Sequence, residues 1–244
     1  MDRKGLKLNA DLGEGAGNDH IIMPFLSLCN IACGAHAGSK EIIHNTIQLA
    51  KKHDVKIGAH PSYPDKENFG RLRMDISQID LFDSLMNQLQ TFRTVAEQLK
   101  IKVYHIKAHG ALYHAVADDQ AIWNTFSKAV KENFNDVKLM LPAHLYGSTE
   151  IEKEFDVIYE AFGDRQYLPN LKLKSRSEKN AVLYKPEDIA SQIHKILDCG
   201  KVFTNQGGWQ DIHCSSICIH GDHKDVEKYL PAAIKLIKDK STVR

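Results

Sequence analysis

The 244-residue sequence has no long apolar run. Its first fifteen residues, MDRKGLKLNADLGEG, lack the hydrophobic stretch of a secretory signal, and no segment approaches the length of a membrane span. It has no excess of either charge: 32 Lys and Arg stand against 31 Asp and Glu, which leaves no basic footprint for nucleic acid or a membrane surface. G-x-G-x-x-G and G-x4-G-K-[ST] are both missing, so no standard dinucleotide turn or P-loop phosphate cradle is visible. Repeats of solenoid period and low-complexity linkers are absent as well. Cysteine is sparse and odd in number, at five, in a chain too large to need stapling. Cys29 with Cys33, and Cys214 with Cys218, form C-x3-C pairs whose members share a strand face, a spacing that suits packing better than metal binding. Reduced, buried thiols and a cytoplasmic protein are the expectation.

What is present is the composition of an ordinary globular protein, 43% hydrophobic and 26% charged, with a length that suits one α/β domain over residues 1–244. Thirteen histidines stand out, many of them beside Gly or Ala. In NIACGAHAG (Asn30 to Gly38), IGAHPSYPD (Ile57–Asp65), HIKAHGALYH (His105–His114) and ICIHGDH (Ile217–His223), an apolar segment ends in polar residues flanked by small ones. Repeated strand, polar tip and helix is how a β/α barrel assembles an active site from several strand ends.

Alternation and apolar runs predict strands over Gly5–Leu12, Pro24–Cys33, Val55–Ala59, Ile101–Lys107, Val137–Leu141, Asp156–Ala161 and Ser215–Ile219. Helical periodicity predicts Glu41–His53 behind a Ser39 cap, with Ile42, Ile43, Ile47 and Ala50 on one side. A long helix follows from Asp75 or Ser77 to about Lys100, its buried stripe including Ile79, Phe82, Leu85, Leu89 and Phe92. Further helices are expected over Asp118–Phe134, from Pro142 through about Lys153, over Asp188–Leu197 and over Asp225–Lys238. Pro61–Met74 and Gly163–Pro186 read as long loops, and a loop of the second one's length inside a compact domain is usually functional. Gly200–Cys214 has no clear assignment beyond a turn at Gly207-Gly208. Seven strands nearly all separated by helices favour a parallel sheet closed into a barrel, with an open doubly wound sheet as the alternative.

Several residues invite chemistry. His105, Lys107 and His109 fall on one face at i, i+2, i+4. Lys107, at the end of a buried strand, reads as the partner of a core carboxylate, a cation for substrate, or a base of lowered pKa. His220, beside Asp222, reads either as an oriented acid/base or as a cap on the final helix. Asp11 and Glu14 are candidate acid/base carboxylates or cation ligands. Glu160, inside the apolar VIYEAF, needs a partner, for which Arg165 or Arg176 is available. Asp11, His36 and His60 together make a possible metal ligand set, although no H-x3-H spacing supports it. Arg71, Arg73, Arg165 and Arg176 all lie in strand-end loops, a pattern compatible with an anionic substrate.

The ordered blocks LNADLGEG, NIACGAHAGS, IGAHPSYPD with FGRLRMD, IKAHGALYH, EAFGDRQY and ICIHGD resemble those of the LamB/YcsF family, from Leu8 to Asp222. The resemblance implies a distorted seven-stranded β/α barrel of the glycoside hydrolase/deacetylase type. It also implies ATP-dependent hydrolysis of the lactam 5-oxo-L-proline to L-glutamate, performed together with separate 5-oxoprolinase subunits B and C. ATP with magnesium is then expected mainly on those partners. Asp11, His60, Lys107, His109, His220 and Asp222 are the implied catalytic positions. Glu14, His36, Glu160, Asp164, Arg165 and Arg176 are the implied substrate-binding ones, and Arg71 joins them as an expectation from its strand-end loop. Ala108 and Ser62 depart from the family's usual Pro and Gly without removing a titratable group. A metal-dependent, deacetylase-like hydrolase of a small amide or carbohydrate is the alternative, and a subunit inert without its partners is a third reading.

Overall fold

Seven parallel strands close on themselves into a barrel. They are β1 (Lys7–Leu12), β2 (Leu28–Ala32), β3 (Lys56–His60), β4 (His105–Ile106), β5 (Lys138–Pro142), β6 (Val157–Phe162) and β9 (Ser216–Cys218), each hydrogen-bonded to the next in that order and β9 back to β1. The computed structural model describes residues 6–221, so the expected terminal helix over Asp225–Lys238 and the residue Asp222 lie outside the described residues. Helices return the chain between strands: α1 (Asp19–Ile22), α2 (Lys40–Lys52), α3 (Gln78–Gln98), α4 (Gly110–Asp118), α5 (Gln120–Asn133), α6 (Thr149–Glu154) and α7 (Pro186–Cys199). Among the described residues no helix is long and apolar enough to cross a membrane.

Both faces of the strands are covered, and their two-residue period sorts side chains between the helix layer and the barrel interior. Leu28, Met140 and Ile158 form a small core cluster separate from the main one. Leu28 shares its face with Asn30, and Ile158 with Glu160, so this cluster plugs the barrel beneath a polar layer. That layer is a hydrogen-bond chain. His105 bonds Asn30, Asn30 donates to Asn9, Asn9 donates to Ser216 Oγ, and Ser216 donates to the Lys7 carbonyl. Gly58 is needed here, since a Cβ would sit 2.3 Å from the His105 ring on the adjacent strand.

Ser39 and Ser77 cap α2 and α3 as expected, accepting from Ile42 N and Asp80 N. The buried stripe of α3 runs Leu81, Leu85, Leu89, Phe92, Val95 and Ala96. Ile79, expected within it, is 74% exposed, two residues out of phase with Leu81; Ile42 is likewise 37% exposed.

Other boundaries differ for local reasons. The second strand begins at Leu28, because Met23–Phe25 form a 3-10 turn containing Pro24, which has no N–H for a ladder. β4 is two residues long, although Tyr104 N and Lys107 N still bond Ile57 O and Ala59 O on β3. The expected helix over Asp118–Phe134 is α5, and α4 was not anticipated; Asp119 separates them by accepting from Ala121 N and Ile122 N. α4 starts at Gly110, whose φ of +54° and 2.5 Å Cβ clearance to the Gly70 carbonyl admit no side chain without movement. The helix expected from Pro142 to Lys153 is a 3-10 turn (Ala143–Leu145) and α6, parted at Gly147 with φ +83°. Gly200–Cys214 contains an antiparallel hairpin, β7 (Lys201–Phe203) and β8 (Trp209–Asp211), outside the barrel.

Candidate active site

Lys107 stands at the centre of the barrel mouth, where the strands' C-terminal ends meet. Its ammonium lies 2.9 Å from Asp11 Oδ1, 3.0 Å from Glu160 Oε1 and 3.5 Å from Cys218 Sγ, which brings together the ends of β1, β4, β6 and β9. Burial alone would lower its pKa, but Asp11 first, then Cys218 and Glu160, hold it well above the ordinary lysine value. Lys107 is therefore a fixed cation, and the reading of a base with lowered pKa is set aside. The Glu160 contact is an ion pair lying off hydrogen-bond geometry, while Glu160 Oε2 accepts from Tyr113 at 2.9 Å. Lys107 and Tyr113 thus take the place expected for Arg165 or Arg176. Arg165 instead donates Nε and Nη2 to the Ala181 and Lys174 carbonyls, and burial with nearby Arg176 brings it down to about 10.

On one flank of Lys107 three imidazoles meet two carboxylates. His60 Nε2 is 3.4 Å from Asp11 Oδ2, and His109 Nδ1 is 3.2 Å from Glu14 Oε1. His36 Nε2 lies 3.1 Å from the same Glu14 oxygen, and its ring stacks on His109 at 3.7 Å. Burial opposes ionisation of both acids. It is outweighed at Asp11 by His60 and Lys107 and at Glu14 by the adjoining His109 and His36 imidazoles, so both carboxyls titrate well below the usual range. Burial brings His36 down to about 4 and lowers His109. Glu14 reaches this position through the turn at Gly13, whose amide is bonded to Asp19 at the start of α1.

The other flank holds a dyad. His220 Nδ1 sits 3.0 Å from Asp164 Oδ2, which also accepts the His220 backbone N–H at 2.8 Å. With Nδ1–H directed to the acid, Nε2 is the acceptor nitrogen of the neutral ring. The acid next to His220 among the described residues is thus Asp164, at the end of β6. Phe162 stacks on the imidazole from below.

A cavity of about 740 Å³ opens above these groups, walled by Lys107, His60 and His220 and by the long segment 163–185. Arg71 and Arg176 reach it, as expected, and Lys172 and Lys174 add to the rim. Arg73 does not; it pairs with Asp119 on the surface. Four cysteines are buried, but Cys199 at the end of α7 is exposed, against the expectation of buried thiols throughout. Tyr113, Asn30 and Cys218 belong to the site and were not singled out for it. Asn30, which donates to Asp11 Oδ1 at 2.8 Å, had a signal in its strand-end motif, and Cys218 in its sharing a face with His220. Tyr113 lay within the HIKAHGALYH motif, but nothing in its position on α4 pointed to a partner 47 residues away on β6.

The chain matches the family model described as LamB/YcsF family over residues 6–243. It is 35% identical to the 5-oxoprolinase A subunit of Vibrio cholerae, over 97% of this chain and 96% of that one. The protein of the same name from Haemophilus influenzae is also 35% identical, over 91% of both. Among solved structures, the lactam utilization protein of Thermus thermophilus superposes with a TM-score of 0.86 at 31% identity, covering 97% of each chain. Sequence blocks, closed barrel and near-complete coverage agree: the chain belongs to the LamB/YcsF family.

Proposed function

We propose that this protein is the A subunit of an ATP-dependent 5-oxoprolinase, and that its barrel mouth opens the lactam 5-oxo-L-proline to L-glutamate. The observation that carries this reading is the pairing of a fixed cation, Lys107, with an acid-oriented imidazole, His220, beneath a cavity rimmed by Arg71 and Arg176. The relatives named as 5-oxoprolinase A subunits supply the substrate class. The substrate's carboxylate finds partners among the rim cations. Its ring amide is resonance-stabilised, so water attacks only once the carbonyl is activated. Cleavage of ATP, held with magnesium mainly by the B and C subunits, provides that activation by phosphorylating the carbonyl oxygen. His220 Nε2 takes the proton of the attacking water while Asp164 holds Nδ1–H, and returns it to the lactam ring nitrogen as the C–N bond of the tetrahedral adduct breaks. The acyl phosphate left behind is hydrolysed by a second water to the carboxylate and inorganic phosphate, with Lys107 offsetting the negative charge on the reacting oxygens.

The test is glutamate release from 5-oxoproline with ATP and magnesium, comparing the chain alone with the chain plus B and C subunits. Activity confined to the mixture is expected. Silence of the mixture, with the partners shown competent beside the V. cholerae relative in place of this chain, would sink the assignment.

A further inference from the structure

We infer that Asp11, Glu14, His60 and His109 bind one divalent transition-metal ion, zinc(II) being the best match to their donor set. Two backbone carbonyls fix the tautomers of the histidines. His60 Nδ1 is 2.8 Å from the Lys107 carbonyl, and His109 Nε2 is 2.9 Å from that of Phe69. A carbonyl oxygen only accepts, so each ring must place its N–H there. In the neutral rings this leaves His60 Nε2 and His109 Nδ1 as bare lone pairs, and these two atoms face each other at 3.0 Å. Asp11 Oδ2 and Glu14 Oε1, also acceptors, complete the set, and all four donor atoms lie within 4.8 Å of one another.

Four converging acceptors call for a cation among them. A single shared proton relieves only one pair of lone pairs, whereas a metal ion engages all four. The spacing suits one. Bonds of 2.0–2.1 Å in a tetrahedron put ligand atoms roughly 3.3 Å apart, and the contacts here are 3.0, 3.2, 3.4 and 3.9 Å. The outer groups are those a metal site requires: both imidazoles donate their remote N–H to carbonyls, Lys107 bonds the other oxygen of Asp11, and His36 supports Glu14. Two imidazoles and two carboxylates are a nitrogen/oxygen set suited to zinc and its first-row neighbours. This differs from the set of Asp11, His36 and His60 expected from the sequence, with His36 moved to a supporting role. None of these contacts depends on the proposed reaction.

Chelator-treated protein would be titrated with zinc(II) by calorimetry and with cobalt(II) by absorption. One equivalent is expected to bind, with cobalt d–d bands and without sulfur-to-cobalt charge transfer. Glu14→Gln and His109→Gln should weaken binding by more than about a hundredfold, with circular dichroism checking their fold, while Cys218→Ser should leave it unchanged. Absence of stoichiometric binding to the wild-type protein overturns the inference, independently of any variant's folding. So does a thiolate charge-transfer band lost in Cys218→Ser, which would move the ion to Asp11, Cys218 and His220.

Discussion

Lys107 is held between two carboxylates that would otherwise face each other with no counter-charge, which makes it the residue with the largest consequence when lost. Lys107→Met should lower stability by about 3–5 kcal/mol, because Asp11 and Glu160 are left buried without their cation. It should also abolish glutamate release in the reconstituted mixture. Urea unfolding measures the first effect, and adding Glu160→Gln to the same chain should recover part of it; a loss below about 1 kcal/mol contradicts the burial argument. A second residue-scale expectation concerns the thiols. Burial pushes Cys33 up to about 12 and raises Cys29 and Cys218 as well, so none of the three offers thiolate near neutral pH. Of the five cysteines, Cys199 alone should react rapidly with a disulfide reagent at pH 8, the others only after denaturation; two or more fast equivalents would contradict this. The sequence announced most of these side chains because each sits at the tip of an apolar strand. It did not announce their partners. Lys107 and Glu160 lie at the ends of β4 and β6, two strands apart around the barrel, and only closure and register decide that they meet.

Among the elements, the long segment 163–185 was recognisable as functional by its length, yet its internal order was invisible, because it depends on one buried side chain. Arg165 spans the segment by bonding the Ala181 and Lys174 carbonyls, and Gln192 of α7 ties it to the barrel through the Phe162, Gly163 and Arg165 carbonyls. Those are long-range bonds to backbone atoms, which leave no periodic trace. Arg165→Met should release residues 171–183 to rapid amide exchange while the strands stay protected, and Arg165→Lys should rescue little, since an ammonium cannot replace the two-pronged guanidinium. Unchanged exchange in Arg165→Met would show that the segment holds itself. The hairpin β7–β8 and helix α4 were hidden for a related reason. Each is short, and each is set by local backbone geometry, the turn at Gly207-Gly208 and the positive-φ Gly110 that opens α4, where pattern-reading sees only a break.

At the scale of the whole molecule the barrel encloses a polar chain, and that sets its response to acid. His105 lies at the middle of the barrel, with Lys107, His60, Asp11 and Lys7 as the titratable groups around it, and burial brings its pKa down to about 3. In the unfolded chain an imidazole titrates near 6.5. Above that pH neither state carries the proton and His105 contributes no pH dependence. Between about pH 6.5 and 3 the unfolded state binds a proton that the folded state refuses, so stability falls as pH drops, by at most about 1.4 kcal/mol per unit for this group. Asp11, whose carboxyl is held below its ordinary range, acts in a lower window: its contribution is lost only as pH falls through and below about 4. The two are separable. Metal-free protein should begin losing stability near pH 6.5, ahead of any carboxylate. His105→Gln, which keeps an amide donor for Asn30, should make the curve shallower between pH 6.5 and 4.5, leaving the part that His36 and His109 contribute there, and leave the steeper fall below pH 4 in place. Denaturation midpoints across that range measure it. A His105→Gln curve parallel to wild type throughout would mean that the imidazole takes its proton inside the barrel, and that the chain from His105 to Ser216 reorganises to admit it.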